Sequence, residues 1–329
     1  MRYTDHSRTV TDWLCPRARY WGYEYQGRGV QPVEPVIELS FGDAIAKAAE
    51  AIRTGQPTLP YTGPLPWAAL YQGLTEAYRT RVWPVWQRQF TLVRAEVECL
   101  WPLSPDVTYQ ARPDAIVQRE DGTYWYIQDK TTSLSPEHFA QGWEKHPELH
   151  ATAVATERAL NITLSGAYVQ GWYKGYHKNN TLYSPLAYCW LKPAQPGVGK
   201  PQPSFEYRAG WPRVPITDIG VEAWVKSLPE ILVQQQFPVS QPIMLRRDLA
   251  EAYFKQVLRR ELDLKRWTEG TRSPFEHRIQ FPQHFIQCDE WHKYRRSCVW
   301  RDCCWAPGVQ RDPVASGLFV WREAHHAAE

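Results

Sequence analysis

A chain of 329 residues, 43% hydrophobic and 22% charged, can bury a full core and is too apolar to be disordered. Its formal charge of +3 demands no polyanionic partner and leaves room for a local basic groove. The opening MRYTDHSRTVTDWLCP has no apolar leader and no stretch approaches about 18 continuous apolar residues, so a cytoplasmic protein without membrane segments is expected. Seven cysteines, an odd number, argue against a disulfide framework and toward metal binding or plain burial. Most of the 17 Trp and 18 Tyr belong in the core, although such rings also stack on unpaired bases.

In chain order, residues 9–25 read as a helix containing Cys15-Pro16-Arg17, which Pro16 kinks or restarts. Residues 41–52 are strong helix formers with Ala at helical spacing. A Pro-rich loop over 56–66 precedes an amphipathic helix over 66–89, interrupted at Pro84. Residues 90–103 are strand-like, with Glu96 and Glu98 on one face.

Residues 109–132, YQARPDAIVQREDGTYWYIQDKTT, organise the rest. Two strands, 112–119 and 123–130, flank the turn Glu120-Asp121-Gly122, with Arg119 facing Thr123. Counting back sets Asp114 opposite Gln128, with Lys130 on the same face and Asp129 on the other. A carboxylate, an amide and an amine on one face suit a divalent metal and a phosphate.

A helix over 137–160, broken near Pro147, leads to two strands at 162–175 and 182–192. Tyr173, Lys174, His177 and Lys178 place basic groups beside aromatic ones at their connection, a cluster able to hold phosphate or to be a solvated hairpin tip. A long loop over 194–214 is followed by helical patterns at 216–235 and 244–267. The second is laced with charge, including Glu261, and reads as a solvated face. Cys288, Cys298, Cys303 and Cys304 fall within 17 residues, too close together for burial alone. Their thiolates suit an iron–sulfur cluster or zinc.

The run Pro113-Asp114, hairpin, Gln128-Asp129-Lys130-Thr131 resembles the PD-(D/E)xK nuclease superfamily, particularly its RecB-like branch. Gln128 stands where that family usually carries an acid. The Ser-started helix with Cys-Pro-Arg and the terminal cysteines are similar to those of iron–sulfur members, including AddB, the CRISPR-associated adaptation nucleases and phage exonucleases. The segment from Gly42 resembles the family's Gly-x-x-x-His, with Ala46 at the histidine position. His150 stands where the family carries the Gln of Gln-x-x-x-Tyr, and reads as an exposed histidine.

The resemblance implies an α/β fold with a central mixed β-sheet flanked by helices, restriction-endonuclease-like. One domain spans 1–329, with an N-terminal helical part (1–89), a nuclease core (90–194) and a helical, cysteine-rich part (195–329). It implies a metal-dependent DNA nuclease, an exonuclease on ends or single strands in recombination, repair or phage DNA processing, with a helicase or recombinase as partner. Asp114, Gln128 and Lys130 would be catalytic. Mg²⁺ or Mn²⁺ would be held by Asp114, Gln128, the Asp129 carbonyl and Glu96, which is favoured over Glu98. A [4Fe–4S] cluster would be held by Cys15, Cys288, Cys298 and Cys304, with Cys303 as alternate. DNA contacts would fall to Thr131, Thr132, Tyr173, Lys174 and Lys178. Two alternatives stay open: a DNA-binding or assembly protein with degraded chemistry, and a zinc-stabilised interaction module.

Overall fold

The strand that carries Gln128 and Lys130, Tyr124–Thr132, is hydrogen-bonded along both edges in a computed structural model that describes residues 2–34, 37–178, 181–194, 200–269 and 298–323. It runs antiparallel to Ala115–Arg119 and parallel to Leu164–Tyr173, and Phe90–Ala95 lies antiparallel beyond Ala115–Arg119. A parallel neighbour needs a crossover, which the helix Pro147–Leu160 supplies. The protein is thus α/β, with a mixed sheet between helices.

Strand alternation sends side chains to two different layers. Ala115, Val117, Trp125, Ile127 and Trp172 pack against the helix Ile37–Arg53 through Phe41, Ile45, Ala48, Ala49 and Ile52. Those five recur at helical spacing, and burying each of the Phe and Ile side chains contributes roughly 1.5–3 kcal/mol. Ile116, Tyr126, Ala167 and Val169 face the other way, onto Leu149 and Ala153 of the crossover helix.

The stretch 90–103 is not one strand. Phe90–Ala95 belongs to the central sheet, whereas Cys99–Ser104 pairs with Val107–Ala111 in a second sheet that also holds Arg2–Thr4. The chain changes sheets over residues 96–98, and Glu96 makes the turn at φ 47°, a left-handed conformation uncommon outside glycine. Glu96 and Glu98 therefore do not share a strand face.

Proline punctuates the helices. His6–Leu14 stops at the extended residue Cys15, and Pro16 opens Pro16–Arg19 at the position where a missing N–H costs nothing. Leu65–Ala77 instead runs on through a wide π turn, Tyr78–Val82, into Trp83–Gln87. The wide turn accommodates Pro84, which has no N–H to donate back along a regular helix.

The pattern at 244–267 forms the helix Arg247–Glu269, but Glu261 on it is buried rather than solvated. It accepts from Arg19 at 2.7 Å and from the Thr4 hydroxyl at 2.7 Å, and Arg2 approaches at 3.3 Å. A buried carboxylate demands such partners, which come from the far end of the chain.

Residues 298–323 dock on the amino-terminal segment. Phe319–Trp321 pairs antiparallel with Val30–Pro32, and the Trp300 indole donates to Val30 O at 3.0 Å. The same indole fills the space beside Gly22, where an added Cβ would lie 2.7 Å from the ring. Among the described residues no helix is long and apolar enough to cross a membrane.

Candidate active site

The geometry of the site begins at a turn. Gly122 takes φ 83°, its N–H donates to Arg119 O at 3.0 Å, and Arg119 N donates to Thr123 O at 3.0 Å. That closure fixes the register Ala115 to Ile127 and Val117 to Trp125, which sets Asp114 opposite Gln128. The Gln128 amide donates to Asp114 Oδ2, and Asp129 N donates to the same oxygen at 2.6 Å. Lys130, two residues on, shares this face.

Asp129 faces the opposite layer, as alternation requires. Its carboxylate takes two bonds from Arg53, at 2.6 and 2.9 Å, and one from Trp172 Nε1 at 3.0 Å. Arg53 also donates to Tyr78 OH at 3.0 Å. The Asp129 carboxylate is thereby consumed in structure, and only its main-chain carbonyl remains as a metal donor.

Glu96, rather than Glu98, lies against Asp114. Its N–H donates to Asp114 O at 3.3 Å, its carboxyl shares a hydrogen bond with the Asp114 carboxyl, and Arg112 Nε donates to it at 2.9 Å. Burial first, and then the facing charge, push both acids up: Asp114 to about 6 under the influence of Asp129, and Glu96 to about 9 under that of Asp114. Two desolvated carboxyls in contact hold a proton between them near neutrality.

Lys130 Nζ lies 3.0 Å from Glu148 Oε1, and Glu148 Oε2 lies 3.1 Å from His6 Nε2. His6 Nδ1 is in turn 2.9 Å from Tyr253 OH. Burial alone would lower the pKa of Lys130, but the carboxylates of Glu148 and then Asp114 outweigh it and hold it above the ordinary value. Glu148 is held below its ordinary value, because Lys130 and His6 outweigh its burial.

An oxygen-rich donor set, with two acids sharing a proton that a cation can displace, fits Mg²⁺ or Mn²⁺. Asp114 and Glu96 would supply the charge to such an ion, and the Gln128 amide, turned over, and the Asp129 carbonyl would supply neutral oxygens. Among the described residues no three His, Cys, Asp or Glu side chains converge as a metal group, so the acid pair stands at two.

The DNA-contact expectations fare unevenly. Thr131 and Tyr173 are half-buried, but Thr132 and Lys174 are buried at 7% and 6% exposure. Thr132 Oγ1 accepts from Leu134 N at 3.0 Å, and Lys174 N donates to Thr132 O at 2.7 Å. Both are buried where the parallel strands Tyr124–Thr132 and Leu164–Tyr173 end side by side. Lys178 is placed by its backbone alone, in Tyr176–Lys178. His150 is fully buried rather than exposed, with Nε2 2.8 Å from Glu144 O and Nδ1 accepting from Arg246 N at 3.2 Å. Ala46 stands half-buried on Ile37–Arg53 and offers no ligand.

Cys15 and Cys298 pack in one buried cluster, although 283 positions separate them by number (298 − 15). Cys303 is buried, and its thiol is pushed up first by burial and then by its neighbours, among them Cys304 and Cys298. Cys304 is half-buried against the adjoining cluster. Cys15 and Cys298 thus share one cluster while Cys303 and Cys304 belong to the adjoining one, and among the described residues no three thiols converge as a metal group. Cys288 lies outside the described residues. Cys99 and Cys189 are buried in strands.

Sequence reading missed Arg53, Glu148 and His6. Arg53 and His6 join the site across long stretches of chain and Glu148 across the start of the crossover helix, and no local pattern marks such pairings. No family model and no curated protein matches this chain.

Proposed function

We propose that the chain is a divalent-metal-dependent DNA nuclease of PD-(D/E)xK type, acting on ends or single strands. The observation that carries this reading is the desolvated pair Glu96 and Asp114, with Asp114 on the hairpin face that also carries Lys130 and Glu96 reaching it from the turn after Phe90–Ala95. The central sheet supports it: strands Phe90–Ala95, Ala115–Arg119 and Tyr124–Thr132 run antiparallel, with two strands of another sheet inserted after the first. Helix Pro147–Leu160 leads to the parallel strand Leu164–Tyr173, with helix Ile37–Arg53 packed on the other face.

Asp114, Glu96, the Gln128 amide and the Asp129 carbonyl would hold Mg²⁺ or Mn²⁺. Such an ion, when bound, supplies charge stabilisation and a water of lowered pKa. Lys130 neutralises the charge that builds on the phosphoryl oxygens, and Glu148 with His6 aims its ammonium. Arg53 clamps Asp129, which keeps the main chain of the catalytic strand in register with Asp114. Cys15, Cys298 and Cys304, with Cys288, would hold a [4Fe–4S] cluster as a staple between chain ends. A helicase or recombinase partner belongs to the same reading.

One observation favours a second reading, a DNA-binding protein with weakened chemistry. Asp114 Oδ2 already accepts from both the Gln128 amide and Asp129 N, which leaves that oxygen less available to a cation. Cleavage of single- and double-stranded DNA with Mg²⁺ and with Mn²⁺ separates the two. The nuclease reading expects activity that Gln128→Glu raises; the second expects binding alone, with cleavage absent in the wild type.

A further inference from the structure

The three-stranded sheet of Gln202–Ser204, Tyr188–Lys192 and Arg213–Pro215 is separate from the sheet that holds the catalytic hairpin. Its register sets Trp190 opposite both Ser204 and Arg213, and Lys192 opposite Gln202. Directly paired residues share a face, and so do residues two apart on a strand. One face of this sheet therefore carries Tyr188, Trp190, Lys192 and Arg213, with no carboxylate at any paired position. The intervening residues, Cys189 and Leu191, point inward and pack into the main core.

Core packing accounts for that inner face and for part of Tyr188, and leaves Trp190 half-buried and Lys192 exposed on the outer one. The Arg213 guanidinium lies over the Tyr188 ring, 4.1 Å from its centroid. Tyr207, 67% exposed, stands edge-on to Trp190 with centroids 4.8 Å apart. Tyr188 and Trp190 are spaced about 6–7 Å along the strand, close to the stride of successive bases in an extended chain. Aromatic faces interleaved with cations, with no carboxylate at the described paired positions, suit bases and phosphates together.

We propose that this face binds single-stranded nucleic acid, with bases stacked on Trp190 and Tyr207 and phosphates held by Arg213 and Lys192. Duplex DNA hides its base faces, so the surface selects unpaired strands. The proposal does not depend on cleavage, and it is tested where cleavage is switched off.

Fluorescence anisotropy of a labelled oligothymidylate, titrated with the full chain in EDTA, reads the affinity directly. Trp190→Ala and Tyr207→Ala should each weaken binding roughly tenfold, and Trp190→Phe should restore most of it. Arg213→Gln should weaken binding and reduce the salt slope by about one phosphate's worth. A duplex of the same length should bind more weakly than the single strand. Wild-type affinity in Tyr207→Ala, an exposed position whose change leaves the fold intact, would overturn the proposal. So would equal affinity for duplex, or no binding by the wild type. Cleavage measured separately with Mn²⁺ shows whether the nuclease reading stands or falls on its own.

Discussion

The ammonium of Lys130 and the carboxylate of Glu148 lie 3.0 Å apart, joining the end of the strand Tyr124–Thr132 to the first turn of the crossover helix. Glu148 also meets His6, so its two oxygens are shared between Lys130 and the amino-terminal helix. Glu148→Gln keeps the shape and removes the charge that aims Lys130. The expected result is a fall in kcat of ~10- to 100-fold with little change in KM. A KM effect with unchanged kcat would assign Glu148 to binding instead.

The acid pair sets a pH dependence of stability. Asp114 and Glu96 hold protons in the folded protein that the unfolded chain gives up at lower pH. Their contribution is fully present below the ordinary carboxylate range and is lost as pH rises toward about 9. In EDTA, melting temperature should fall across that window, and Glu96→Gln should flatten the fall. Mn²⁺ should restore stability most at the alkaline end, where it no longer competes with a proton. A wild-type slope in Glu96→Gln would remove the pair as the cause.

Arg53 and Asp129 form a buried ion pair with both partners nearly inaccessible. Arg53→Met leaves the Asp129 carboxylate without its cation, which should cost ~3–5 kcal/mol in urea unfolding. The double variant Arg53→Met with Asp129→Asn should recover much of that loss. Additive losses would mean the two side chains act independently.

Cys15 and Cys298 share one buried cluster between the chain ends. Cys15→Ala or Cys298→Ala should yield colourless protein that lacks iron and melts at lower temperature. Iron retained at wild-type stoichiometry in Cys15→Ala would discard the assignment. Zinc in place of iron would select the interaction-module alternative.

The hairpin was legible because a three-residue turn ending in Gly122 fixes the count on both strands. Asp114, Gln128 and Lys130 follow from that count, and so does the opposite-facing Asp129. The break at Glu96 was not legible, since FTLVRAEVECLWPL alternates well enough to pass for one strand while its halves serve different sheets. Burial of Glu261 and Lys174 was equally hidden. Charge reads as solvated unless its partner is known, and the partners of Glu261, Arg2, Thr4 and Arg19, lie some 240 residues or more away by number.

Nuclease activity of the wild type beside Asp114→Asn, on labelled single-stranded DNA with Mn²⁺, tests the central claim most directly. The account predicts cleavage by the wild type and a loss of at least ~100-fold in the variant, with iron content unchanged. Cleavage at the wild-type rate in Asp114→Asn, or none in the wild type with either metal, would contradict it.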